Sequence, residues 1–214
     1  ALSRLSYSGS KPWLKQVDLT ASYQQSLENR TLQKKGSTTR REEGDLVQSW
    51  GFVAQAKSNW TEELSSTTGL EFYQDQVGSS RKDMTGAKQV SLRGLYPDQS
   101  RYGTFSAFSL HQLALKSWQL QAGLRYQHAI AALPDTTVGN ANLSIGALVY
   151  DLGAAYLLSE RTTVFVGIST GFRSPNLDDL GSLGVVDFRY ELPAYSLKPE
   201  YSLNKQVGIR FNTP

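Results

Sequence analysis

The sequence predicts an all-β chain of antiparallel up-and-down strands, part of a transmembrane β-barrel. Three observations lead there. Apolar and polar residues alternate with period two in several segments, short polar turns alternate with long links, and aromatic residues gather at both ends of the strand-like runs. The 214 residues are 39% hydrophobic with a mean hydropathy of -0.38. No segment approaches the roughly 18 unbroken apolar residues that a membrane helix requires, whereas a barrel strand needs an apolar residue only at every second position.

Residues 2–7 read as the tail of a strand. In 17–24, Val17, Leu19, Ala21 and Tyr23 alternate with Asp18, Thr20, Ser22 and Gln24. Trp50, Phe52, Ala54 and Ala56 then oppose Ser49, Gly51, Val53 and Gln55, and Leu64, Ser66, Thr68, Leu70 and Phe72 oppose Ser65, Thr67, Gly69, Glu71 and Tyr73. The run 105–113 is mixed on both faces. The cleanest alternation is 118–127, where Trp118, Leu120, Ala122, Leu124 and Tyr126 face away from Gln119, Gln121, Gly123, Arg125 and Gln127. A mixed run at 143–157 follows, then Val164, Val166 and Ile168, and finally Val207, Ile209 and Phe211. About eight strands result, nine with 2–7.

Residues 57–62, 115–117 and 159–161 are short polar turns of the kind hairpins use. Long links are expected at 28–45, 77–102, 131–140 and 173–202. Compact soluble domains mostly connect elements with about 4 to 6 residues, while outer-membrane barrels combine short periplasmic turns with long external loops. Trp60, Trp118 and Tyr156 fall near the short turns, and Tyr23, Tyr73, Tyr102, Tyr126 and Phe172 near the long links, as two interfacial girdles require. Period two alone also suits a soluble sandwich with a dry core. The apolar stripe here is interrupted by Ser and Thr rather than by charges, which favours a face turned to lipid.

Cysteine is absent, which removes disulfides, thiol catalysis and Cys-based zinc sites. The net charge of +3 arises from 22 basic and 19 acidic side chains, too small an excess to argue for a nucleic-acid partner. Residues 1–5 carry no secretion signal, and the chain stops just after a strand-like run, so both ends are expected to be cuts in a longer protein.

The run 166–181, Val-Gly-Ile-Ser-Thr-Gly-Phe-Arg-Ser-Pro-Asn-Leu-Asp-Asp-Leu-Gly, resembles a segment of TonB-dependent outer-membrane receptors, in which a strand ends in a Phe-Arg-Ala-Pro box. The family's second box, Asn-Pro-x-Leu-Lys-Pro-Glu, opens the next strand and is matched by Ala194-Tyr195-Ser196-Leu197-Lys198-Pro199-Glu200. The box residues are therefore Phe172, Arg173, Pro175 and Asn176, then Leu197, Lys198, Pro199 and Glu200, with Asn204 in the strand that follows. Ser174 stands where the family usually has alanine, and Ala194-Tyr195 where it has Asn-Pro. The likeness covers 102–211 well and the first hundred residues in texture.

The resemblance implies a barrel of about 22 strands around an N-terminal plug, residing in the bacterial outer membrane. Such receptors import scarce nutrients such as ferric siderophores with energy passed by TonB, whose contact lies in the N-terminal region. The whole of 1–214 then forms part of one barrel domain without a plug, with the 173–202 loop facing outside. Its partners are outer-membrane lipid and lipopolysaccharide, a small nutrient ligand, and TonB through the missing region.

No catalytic constellation, phosphate-cradling loop or zinc motif is present, so neither an enzyme nor a resident cofactor is expected. His111 and His128 both lie outside the link between the boxes, which disfavours haem, and neither has an evident partner for a metal. The pair Asp178-Asp179 is a candidate ligand contact, although adjacent loop carboxylates are ordinarily solvated or capping. Lys34, Lys35, Arg40 and Arg41 are candidates for lipid phosphates or an anionic ligand, against the ordinary reading of a solvated loop. The competing functional class is a soluble all-β ligand-binding module of carbohydrate-binding type.

Overall fold

A computed structural model describes residues 1–186 and 189–212. Its strands are β1 (Leu2–Lys11), β2 (Leu14–Leu32), β3 (Thr39–Asn59), β4 (Leu64–Thr85), β5 (Lys88–Leu92), β6 (Ser100–Leu115), β7 (Trp118–Leu133), β8 (Ala141–Ser159) and β9 (Thr162–Arg173). A single helical turn α1 (Leu177–Gly181), a hairpin of β10 (Gly184–Val186) and β11 (Arg189–Glu191), and β12 (Glu200–Phe211) complete the chain. One antiparallel sheet runs β1-β2-β3-β4-β6-β7-β8-β9-β12, with β5 added beside the end of β4. Chain order equals sheet order apart from these insertions, which is the up-and-down pattern. β1 and β12 end the sheet and are not paired with each other, so it is not closed.

The register sorts the side chains into two faces. One cross-strand row reads Leu5, Leu19, Ala54, Leu70, Ala107, Tyr126 and Leu148. The next row on the opposite face reads Arg4, Thr20, Val53, Glu71, Ser106, Gln127 and Ala147. The apolar face, called outward here, stays exposed: Leu70 is 50% and Leu124 51% accessible. A sandwich would cover such a face with a second sheet, and none does so among the described residues.

Aromatic rings mark the limits of the outward band. Trp118 packs on Tyr156 at 4.7 Å near the short turns, and Tyr23 on Trp50 at 5.5 Å and Phe172 on Tyr201 at 5.4 Å near the other end. Trp50 on β3 and Trp60 just past its end are ten positions apart, as are Tyr201 and Phe211 on β12. Ten residues cover about 33 Å along a strand, and a barrel tilt of about 40° reduces this to about 25 Å, the height of an outer-membrane apolar band. Two of the expected girdle residues are corrected: Tyr73 and Tyr102 fall in the inward rows, with Gly51 and Thr104 beside Tyr73 and with Asp75 and Ala131 beside Tyr102. A charge on the lipid face costs about 2 to 4 kcal/mol at the midplane. Away from the rims of the band, Lys205 is the only charged outward side chain among the described residues, in a row with Ala122, Leu152 and Ile168.

The long links are the second correction. β2 and β3 run on through most of 28–45, leaving a loop of 33–38, and β4 and β5 occupy much of 77–102. The polar residues there belong to strands that extend past the apolar band. They are held by backbone ladders and by cross-strand pairs such as Arg41 with Asp83 at 3.1 Å. Gly86 makes the tight turn into β5 with a φ of +59, a conformation that disfavours other residues. A further turn at Pro12 and Trp13 joins β1 to β2, with the Asn59 amide donating to the Pro12 carbonyl at 2.8 Å.

Candidate functional site

The two boxes meet across the top of the β9/β12 ladder, where Arg173 and Glu200 are direct register partners. The Arg173 guanidinium donates to Glu200 Oε1 at 3.0 Å and to Asp179 Oδ2 at 2.6 Å, joining the end of one box to the end of the other. Asn176 caps α1: its Oδ1 accepts from the Asp179 amide at 2.8 Å while Asp179 Oδ2 accepts from the Asn176 amide at 3.0 Å. This reciprocal capping box uses up donors that a helix start otherwise leaves unmet. Pro175 is buried, Lys198 is exposed, and Leu197 stays 42% accessible, its amide donating to the Ala194 carbonyl. Asn204 lies inward, paired with Ser169.

The capped turn is folded against the inward face. Leu177 and Leu180 are buried against Val77 of β4 and Ala131 and Leu133 of β7, with Tyr96, Tyr102, Leu143 and Tyr195 packed around them. Gly181 permits this closeness, because a Cβ there would stand 2.6 Å from Leu133 Cδ2 and 3.1 Å from Pro97 Cδ.

A buried ion pair locks the arrangement. The Arg93 and Asp135 side chains are 8% and 0% accessible and meet at 2.9 Å. Arg93 also donates to the carbonyls of Gly94, Leu95 and Gly181, the last at 2.6 Å. Asp135 accepts from the Tyr195 hydroxyl at 2.6 Å and from the amides of Thr137 and Val138 at 2.8 and 3.1 Å. Burial by itself raises the Asp135 pKa. The hydrogen bonds from Tyr195, the Thr137 amide, Arg93 and the Val138 amide outweigh it and hold the carboxyl down at about 2. Burial, and then the bond to Asp135, push the Tyr195 phenol up. Four segments thus share one charge pair: the β5–β6 link, the β7–β8 loop, α1 and the second box.

The sequence candidates fall in different places. Asp178 accepts from the Tyr96 hydroxyl at 2.8 Å, and Asp179 is held by Arg173, so both acidic candidates make contacts within the wall. Arg40 pairs with Glu42 at 2.8 Å, and Arg41 pairs inward with Asp83. Lys34 and Lys35 sit at the exposed 33–38 tip and make no salt bridge among the described residues. Arg93, Asp135 and Tyr195 carried no local motif beyond Pro-Asp-Thr-Thr at 134–137, a turn signal of the Asx type. At the short-turn end of the inward face, Gln112, Gln121, Asp151 and Gln206 line a polar groove of about 640 Å³. Both histidines lie in outward rows, where His111 bonds Ser66 at 2.7 Å and His128 bonds Ser144 at 3.1 Å. Among the described residues no cluster of three or more His, Cys, Asp or Glu side chains could hold a metal ion.

A family profile described as TonB dependent receptor-like, beta-barrel, matches residues 2–214. Solved structures with a similar fold include the "Copper transporter OprC", with a TM-score of 0.82 and 15% identity over 99% of this chain and 35% of that one. The ferric yersiniabactin uptake receptor FyuA from Yersinia pestis follows, with a TM-score of 0.67 and 15% identity over 99% of this chain and 33% of that one. The FrpB iron transporter from Neisseria meningitidis gives a TM-score of 0.63 and 13% identity over 99% of this chain and 33% of that one. At such identities these likenesses concern the fold, and the chain spans about a third of the length of the structures it matches. The family and these neighbours are receptors and transporters rather than enzymes. The whole-chain match and the two joined boxes place this chain in the TonB-dependent receptor β-barrel family.

Proposed function

We propose that residues 1–214 are a wall segment of an outer-membrane receptor that takes up a scarce nutrient, such as a ferric siderophore or another metal complex, with energy supplied through TonB. The observation that carries this reading is the box loop. It is folded onto the inward face at the loop end and locked there by Arg93, Asp135 and Tyr195, so the wall bears a structured mouth and not a loose fringe. The outward band, about 25 Å tall, supports a lipid environment. Lipid and lipopolysaccharide are its outer partners, and a small ligand enters from the loop end. TonB acts through a plug that other parts of the receptor supply.

Box residues Phe172, Arg173, Pro175, Asn176, Leu197, Lys198, Pro199, Glu200 and Asn204 act in this reading as structural joints of the mouth. Lys34 and Lys35 are its available cations for an anionic ligand or lipid phosphate. Copper, ferric yersiniabactin and iron appear in the names of similar structures, which supports metal-linked cargo as a class.

Fractionation of cells expressing the intact receptor tests the proposal. It should sediment with outer membranes and need detergent for extraction, and deleting residues 176–196 should abolish uptake while leaving the protein in that fraction. Recovery in the soluble fraction without detergent would overturn the reading.

A further inference from the structure

At the loop end of the wall, β8 presents an open strand edge. Pairing of β8 with β9 stops at Asp151 with Ser169, although β8 begins at Ala141 and β9 continues to Arg173. Above that point β9 stays with β12, and Arg173 at its end is tied to Glu200 and Asp179. The backbone fixes which groups of β8 are left open. The Leu157 amide bonds toward β7, at the Ser117 carbonyl, and the Tyr150 amide points the other way, to the Thr170 hydroxyl at 2.9 Å. The β7/β8 register runs without a break from Tyr156 to Ala141. Strand groups alternate sides, so the amides and carbonyls of Leu148, Gly146, Ser144 and Asn142 all face the gap, with about 7 Å between successive residues. Among the described residues no backbone group bonds to them there.

Natural sheet edges are blunted by charges, proline, bulges or shortness. β5, the other free edge at this end, is five residues long and starts with Lys88. Residues 142–149, Asn-Leu-Ser-Ile-Gly-Ala-Leu-Val, carry no charge and no proline, and their ladder to β7 has no bulge. The edge is also held in place. On the inward side Leu143 and Ala141 pack against the buried cluster around α1. On the outward side the Ser144 hydroxyl is turned back to His128 of β7 at 3.1 Å, so it does not cover its own edge. Leu148 is the register partner of Tyr126 near the outer girdle. Gly146, Ser144 and Asn142 lie on the loop side of it, outside the membrane in the proposed receptor.

We propose that this edge takes an added strand: an extended peptide of a partner protein at the cell surface, uncharged over about six residues and apolar at alternate positions. This rests on the proposed orientation of the wall. Donors and acceptors alternating at strand spacing are matched by another extended backbone, and the new ladder continues the β8/β9 interface directly beneath it. Incoming side chains lie beside Val149 and Ile145 on one face and beside Leu148 on the other, which sets the preference for apolar residues without charge.

The test uses the intact receptor in nanodiscs and, as probe, a fluorescent synthetic peptide copying residues 142–149 with two terminal lysines for solubility. Hydrogen exchange of the free receptor, read residue by residue after electron-transfer fragmentation, should alternate. Positions 142, 144, 146 and 148 should exchange at least about tenfold faster than 143, 145, 147 and 149. The peptide should slow the fast set and leave the other unchanged. Ser144→Ala should bind the peptide as wild type does, because it keeps the amide. Ser144→Pro removes one edge amide and no bond to β7, so it should weaken binding at least about tenfold by fluorescence anisotropy. Equal binding by Ser144→Pro and wild type overturns the proposal. So does slow exchange at the even positions in the free receptor, which would show that another part of the receptor fills the edge. These exchange readings on wild type decide the matter even where Ser144→Pro fails to reach the membrane. A receptor recovered without detergent removes the orientation, whereas failed binding to a membrane-embedded receptor removes only the strand-addition site.

Discussion

Asp135 gathers donors from Arg93, Tyr195 and two loop amides on one fully buried carboxylate, and its removal has a different cost from that of the exposed pair at Arg173. Breaking a buried pair strands the remaining charge at about 3 to 5 kcal/mol. Asp135→Asn keeps the shape and an acceptor but withdraws the anion from Arg93. Hydrogen exchange at 93–97, 177–183 and 194–197 should then accelerate together by about 100-fold, with the 33–38 tip unchanged. Acceleration confined to 134–140 would show that the four segments are not coupled. The lowered Asp135 pKa sets the sign of the pH effect: the latch is at full strength above the ordinary value of 3.8 and is lost as the pH falls toward about 2. Gly181→Ala tests the same joint sterically. Overpacking against Leu133 and Pro97 should cost about 1 to 3 kcal/mol of local stability, read as faster exchange at 177–183. Only the local turn at 134–137 was legible from the sequence, because Arg93 and Asp135 stand 42 positions apart and Asp135 and Tyr195 stand 60 apart.

At the scale of elements, the apolar middles of the strands were readable and their ends were not. Leu120, Ala122 and Leu124 alternate with polar neighbours, as a strand with one apolar and one polar face requires. Arg40-Arg41-Glu42-Glu43 reads locally as a charged loop, yet it lies in β3 because its partners Met84, Asp83, Lys82 and Arg81 wait on β4. Charge pairing across a ladder is invisible to a local pattern. Outward and inward positions on β7 should respond oppositely to a charge. Leu124→Arg should lower folding stability in lipid by about 2 to 4 kcal/mol, while Gln121→Arg, on the inward face, should cost well under half of that. Urea titrations in liposomes compare the two, and equal losses would mean that the faces are not distinct. The boxes were legible as motifs, but Arg173 as their common joint appeared only in three dimensions.

For the whole molecule, one nine-strand sheet, extended by β5, presents an apolar surface on one side, facing lipid in the proposed receptor, and a polar surface on the other. The open ends at β1 and β12 fit a wall that covers about a third of the related chains, since closure removes the edges that an isolated sheet leaves unpaired. The segment contains no cysteine, so spin labels can be placed one at a time without background from it. The decisive measurement is paramagnetic accessibility along β7 in the intact receptor reconstituted in lipid. Labels at positions 120, 122 and 124 should favour oxygen over a water-soluble nickel chelate, and labels at 119, 121 and 125 should not, with period two throughout. Preference for the nickel chelate at 120, 122 and 124, or loss of the alternation, would contradict the account.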